Sequence, residues 1–138
     1  MKKTFRLIQV FTIVSFLTIG CGSKSSDPQP TSSITIQQYT LHYTGEPISS
    51  TITLPQQLND ANWGLKETTC EQVGYTLLPY AGENITSIKY SIIETYGSEP
   101  LYLWVLEQNQ TTICAYLTVR ESSTLTPGIF ALNNPNIK

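Results

Sequence analysis

Leu101-Tyr102-Leu103-Trp104-Val105-Leu106 is apolar or aromatic at every position. With a strand's period of two, Leu101, Leu103 and Val105 share one face and Tyr102, Trp104 and Leu106 the other. A strand with two apolar faces belongs in the middle of a sheet. It is either covered on both faces, or covered on one and used for binding on the other.

The neighbouring segments supply strands for such a sheet. Leu101 to Glu107 and Thr111 to Val119 form the clearest hairpin, joined across Gln108-Asn109-Gln110. Thr86 to Tyr96 alternates Ile88, Tyr90 and Ile92 against Ser87, Lys89 and Ser91. A helix starting at Asn84 also fits the spacing, but the β-branched and Tyr content favours a strand. Ile34 to Tyr43 changes phase between Ile34, Ile36 and Tyr39, Leu41, Tyr43, which predicts one strand with a bulge near Gln37-Gln38. Gly45-Glu46-Pro47 reads as a turn, and Ile48 to Leu54 as a second strand returning along the first. Tyr75 to Tyr80 and Ile129 to Leu132 read as short strands, with turns at Ala81-Gly82-Glu83-Asn84, Gly97-Ser98-Glu99-Pro100 and Thr126-Pro127-Gly128.

Between Pro55 and Val73 the period changes. Leu58, Ala61, Leu65, Thr69 and Val73 are spaced by three or four, with Pro55 at the start and Gly74 just past the end. That frame predicts an amphipathic helix, or two shorter pieces broken near Asn62 to Gly64, because an interior glycine costs about 1 kcal/mol. Glu67 and Glu71 lie one turn apart, and their simplest reading is a solvated helix face. The expected fold class is α+β: an antiparallel β-sheet of about five to seven strands with one amphipathic helix packed on it.

Residues 1–20 have the layout of an export signal peptide: Lys2, Lys3 and Arg6, then a mostly apolar run from Leu7 to Ile19, then Gly20. The run is broken by Gln9, Thr12, Ser15 and Thr18 and is short for a membrane span, which needs about 20 apolar residues. Ile19-Gly20-Cys21 resembles the bacterial lipobox, with the customary Leu one place early at Leu17 and Thr18 in its slot. The resemblance implies cleavage before Cys21 and acylation of its thiol and amine with palmitate-class chains. Two or three such chains anchor a protein stably. The expected location is therefore the cell envelope, on the extracytoplasmic side of a membrane. Position 22 is Gly, not the Asp that marks inner-membrane retention.

Residues 21–33 carry no large apolar side chain and are dense in Ser and Pro. They read as a flexible tether with a reach of roughly 20 Å, leaving 34–138 as a single small domain. Without the leader the chain has five basic and ten acidic residues, a net charge of -5. Such a surface repels phosphate backbones, so nucleic acid is not an expected partner.

With Cys21 assigned to lipid, Cys70 and Cys114 remain as an even pair in an oxidising compartment. A bond between them pins helix to sheet and, by closing a loop of about 45 residues, stabilises by roughly 4 kcal/mol. Two buried free thiols are the other reading.

No catalytic or metal constellation assembles, and no cofactor motif is present. His42 is the only histidine, so histidine-rich metal sites are excluded, and a nucleophile pair has only Cys70 or Cys114 to draw on. A G-x-S-x-G elbow, a P-loop and a glycine-rich dinucleotide turn are all missing. Two carboxylates for glycoside chemistry could come from Glu94, Glu99 or Glu107, without a spacing argument to join them. The aromatic residues carry the candidate binding surface: Tyr90, Tyr102, Trp104 and Tyr116 form either a platform for a sugar ring or extended peptide, or the filling of a small core.

Leu54-Pro55, Leu58, Gly74-Tyr75, Leu77, Tyr80-Ala81-Gly82, Thr86 and Tyr90 together resemble an uncharacterised family of small bacterial secreted or lipoprotein domains. The resemblance covers about a third of the chain after the leader and implies a helix packed on an antiparallel sheet, with no activity attached. The expected function is a lipid-anchored, non-catalytic binding or accessory module for an envelope protein, peptide or glycan. The alternative is a small envelope enzyme or enzyme inhibitor.

Overall fold

In the computed structural model, which describes residues 30–121, 123–126 and 128–138, six strands form one antiparallel sheet whose spatial order equals their sequence order. They are β1 (Thr31–Ile36), β2 (Tyr39–Thr53), β3 (Asn84–Tyr96), β4 (Glu99–Gln108), β5 (Thr111–Val119) and β6 (Ile129–Phe130), with one helix, α1 (Trp63–Glu71), between β2 and β3. The expected α+β class, a sheet with a single helix, is the fold this chain adopts. Residues 1–29, including Cys21, the leader and most of the tether, lie outside the described residues.

β4 lies between β3 and β5 and has an apolar cluster on each face. Leu101, Leu103 and Val105 join Leu117, Ala115, Ile92 and Leu41 in the first cluster. Ile36 from the end of β1, Val73 just past α1, and Ala131 and Leu132 beyond β6 complete it. The tail then returns to β3, where Thr95 and Lys138 exchange two backbone hydrogen bonds at 2.9 and 3.1 Å. On the other face Leu106 packs with Leu54, Leu58, Leu77, Ile85 and Cys114, beneath the chain that carries α1.

The first hairpin differs from expectation. Gln37-Gln38 is a tight reversal, with Ile36 opposite Tyr39 and Gln37 at φ 54°. Gly45-Glu46-Pro47 does not turn the chain. It is an irregularity inside the fifteen-residue β2, where the register against β3 shifts between Thr44 and Ile48. Gly45 has φ 74° there, and Pro47, with no N–H, sits where the ladder is interrupted. A phase change looks the same in sequence whether the chain bulges or reverses. β1 also begins at Thr31, so Thr31 to Ser33, assigned above to the tether, are strand residues.

The helix is shorter than its periodicity suggested. Leu54 still exchanges backbone hydrogen bonds with Gly82 and Glu83, so Pro55 leaves a strand and does not open a helix. Asp60 Oδ1 accepts the N–H groups of Asn62 and Trp63 at 2.8 and 2.7 Å and holds the first turn. Gly64 permits a close approach: a Cβ there would stand 3.2 Å from the Leu58 carbonyl oxygen, tighter than most such contacts. The helix ends as expected at Gly74, φ 83°, with Tyr75 N–H on the Cys70 carbonyl and Gly74 N–H on that of Glu71, a Schellman closure.

Two further expectations are corrected here. Tyr75 to Tyr80 is not a strand; Leu78–Tyr80 is a single 3-10 turn beginning next to Pro79. Glu67 is not solvated but 6% exposed, accepting hydrogen bonds from the Thr76 hydroxyl and the Leu77 N–H. Glu71 is exposed, as a solvated face requires.

Candidate binding groove

Strand register places the functional side chains. Trp104 lies opposite Tyr116 on β5 and Lys89 on β3, while Tyr102 lies opposite Thr118 and Ser91. All six project from the face that the α1 segment covers only in part. Where that cover stops, the N-terminal end of α1 and the sheet enclose a groove of about 510 Å³, lined by Trp63, Lys66, Trp104, Tyr116, Ile52 and Ile129 among others. That volume falls within the range of about 300–1,000 Å³ common to ligand sites.

The Trp104 and Tyr116 rings lie nearly parallel, 14° apart, with centroids 6.4 Å from each other. Trp104 donates its indole N–H to the Thr118 hydroxyl oxygen at 2.9 Å, which locks the ring. Lys66 Nζ stands 4.1 Å from the Trp63 centroid and 5.7 Å from that of Tyr116. Lys89 Nζ is 4.6 Å from the Tyr102 centroid and 5.5 Å from that of Trp104. The Arg120 guanidinium lies 5.2 Å from the Tyr102 centroid. Burial lowers the Lys66 ammonium pKa, with nearby Asp60 pulling the other way. Burial alone pushes the Tyr116 phenol well above the ordinary tyrosine range.

Of the four aromatic residues singled out in the sequence, Tyr102, Trp104 and Tyr116 stand together and Tyr90 does not. Tyr90 is opposite Leu103, on the other face, where it packs edge-on against Tyr43 with centroids 4.9 Å apart. Its phenol is raised by burial, with Tyr43 and Glu107 adding to the shift. Lys66 in the groove, and Lys89 at its edge over the Trp104 ring, are the residues that sequence reasoning missed. The alternation of β3 had put Lys89 on the face opposite Tyr90, and only the register was needed to bring it to Trp104.

The other candidate chemistry disperses. Cys70 and Cys114 form a disulfide with Cα atoms 5.4 Å apart, so neither is a thiol for His42. His42 Nδ1 meets Glu94 Oε1 at 2.8 Å, and the His42 backbone N–H donates to the same carboxylate. Glu99 and Glu107 stand near opposite ends of β4, facing Tyr96 and Thr86. Among the described residues no group of three or more His, Cys, Asp or Glu side chains is placed to hold a metal ion. None of the described helices is long and apolar enough to cross a membrane.

No family model matches this chain, and neither a curated protein nor a solved structure matches it.

Proposed function

We propose that this chain is a lipid-anchored lipoprotein of the cell envelope whose folded domain is a non-catalytic binding module, working through the Trp63–Trp104–Tyr116 groove. The carrying observation is that both tryptophans of the chain line one groove on the part of a sheet face that the described residues leave uncovered. Large flat rings at such a place supply contact area at little entropic cost. The anchor rests on the leader and on Cys21. The enzyme or inhibitor reading has less support, since the Glu94 carboxylate is engaged by His42 and Glu99 and Glu107 stand near opposite ends of β4, too far apart to act on one bond.

Two measurements test this. A mass spectrum of the protein from its membrane fraction should show loss of residues 1–20 and added acyl mass on Cys21; an intact, unacylated chain sinks the anchoring. Trp63 and Trp104 make intrinsic fluorescence a direct report on the groove. A bound ligand should shift that emission saturably, and Trp104→Ala should remove the affinity. Ligand binding unaffected by that substitution would place the site elsewhere.

A further inference from the structure

We infer that the groove takes an anionic glycan, a chain of sugars carrying carboxylates. The inference rests on the binding reading above and adds the chemistry of the ligand. Residues 30–138 contain four Lys or Arg side chains, and three of them, Lys66, Lys89 and Arg120, stand over aromatic rings on this one sheet face. None of the three makes a direct salt bridge among the described residues; each stands over a ring, with Asp60 near Lys66 and Glu121 accepting the Tyr102 hydroxyl at 3.3 Å. Three of the four cations of an acidic chain thus gather in and beside the groove, Lys66 lining it and Lys89 over the Trp104 ring at its edge, which favours an anion there. Lys66 points the same way: an anion docking beside this partly desolvated ammonium would restore the charge stabilisation that burial removes.

The location favours a glycan over an acidic peptide. The groove lies mainly on a sheet face, where backbone N–H and C=O groups are committed to the ladder, and it meets an edge only at Ile129 of the two-residue β6, so an extended peptide finds little edge to join. The polar groups available are side chains: the Ser50, Ser87 and Thr118 hydroxyls and the Asn62 amide. Such groups suit sugar hydroxyls, while the near-parallel Trp104 and Tyr116 rings suit the C–H face of a sugar ring.

The test is a fluorescence titration of the full chain with tetragalacturonate, with the same tetrasaccharide after reduction of its carboxylates to alcohols, and with hexaglutamate. Tetragalacturonate should give a saturable shift that weakens with salt, and both the reduced sugar and hexaglutamate should bind about tenfold or more weakly. Lys66→Met and Lys89→Met should each weaken tetragalacturonate by a larger factor than the reduced sugar, with near-UV circular dichroism confirming the fold and Lys66→Arg retaining affinity; an equal factor for both sugars overturns the charge assignment. Equal affinity for the charged and reduced sugars overturns the anionic assignment and leaves the groove a binding site. Tighter binding of hexaglutamate overturns the glycan in favour of a peptide. Silence toward all three also overturns it. If acrylamide then fails to quench Trp63 and Trp104 in the free chain, the groove is closed and the binding reading falls as well.

Discussion

The Glu67 carboxylate reaches from α1 to the backbone ten positions on, accepting the Leu77 N–H at 2.6 Å, while its other oxygen accepts the Thr76 hydroxyl at 2.6 Å. Leu77 is fully buried, so its N–H has little access to water, and a helix acid satisfies it. Removing that acceptor leaves a buried donor unpaired, which costs about 1–3 kcal/mol. Glu67→Ala should therefore lower the free energy of urea unfolding by that amount, with Glu67→Gln in between. Glu71→Ala, one turn away and exposed, should change it by less than about 0.5 kcal/mol. Equal effects at the two positions would refute the role given to Glu67.

The disulfide joins α1 to β5 across 44 residues of chain. On the chain-entropy account, replacing both Cys70 and Cys114 with Ala should remove about 4 kcal/mol of stability. Both cysteines are 0% exposed. Reductant and alkylating agent applied to the folded protein should leave them unlabelled, and both should label only once denaturant is added. Rapid labelling without denaturant would contradict this burial.

Alkaline pH should act on the groove from two directions. Tyr116 has a raised pKa, so above about 10 the unfolded chain releases a proton that the folded chain retains, and stability falls as pH rises. Tyr116→Phe should remove that part of the loss in stability measured across the alkaline range. Lys66 has a lowered pKa, so the folded chain gives up its proton first. Raising pH from the folded Lys66 value toward 10.5 adds stability, and Lys66→Met should abolish that gain. The same slope in wild type and both variants would show that neither group is linked to folding.

The β4–β5 turn places Asn109 and Gln110 at φ 50° and 64°, the left-handed pair that a two-residue hairpin of this kind requires. Asn occupies that region more readily than Gln. Gln110→Gly should raise the thermal midpoint, with a gain of up to about 1 kcal/mol, and Gln110→Val should lower it. A lower midpoint for the glycine variant would mean that the Gln110 side chain matters more than its backbone.

Much of this fold was legible because side-chain period and backbone state are coupled locally. The doubly apolar Leu101 to Leu106 stretch predicted a central strand, and β4 has a cluster on each face. Gly74 closes the helix where its spacing ended. The errors fell where one pattern has two backbone solutions. A change of phase at Gln37-Gln38 describes a bulge or a reversal equally well, and Tyr75 to Tyr80 was read as a strand although Pro79 breaks the ladder and Glu67 takes up the Leu77 N–H.

Taken alone, the sequence determined the α+β class, the central strand, the alternation of Ile88, Tyr90 and Ile92 against Lys89, and the one even pair of cysteines in the folded domain. Tertiary structure decided which alternating faces coincide. A period of two orders residues within a strand but says nothing across strands, and a slip of one residue exchanges the two faces. Only the pairing of Lys89 with Trp104 and of Tyr90 with Leu103 put the cation beside the Trp104 ring and the tyrosine in the opposite core. Burial of Glu67 and the approach of Trp63 to Trp104 depend likewise on where α1 docks, and that is set by the apolar surface and the disulfide it shares with β5.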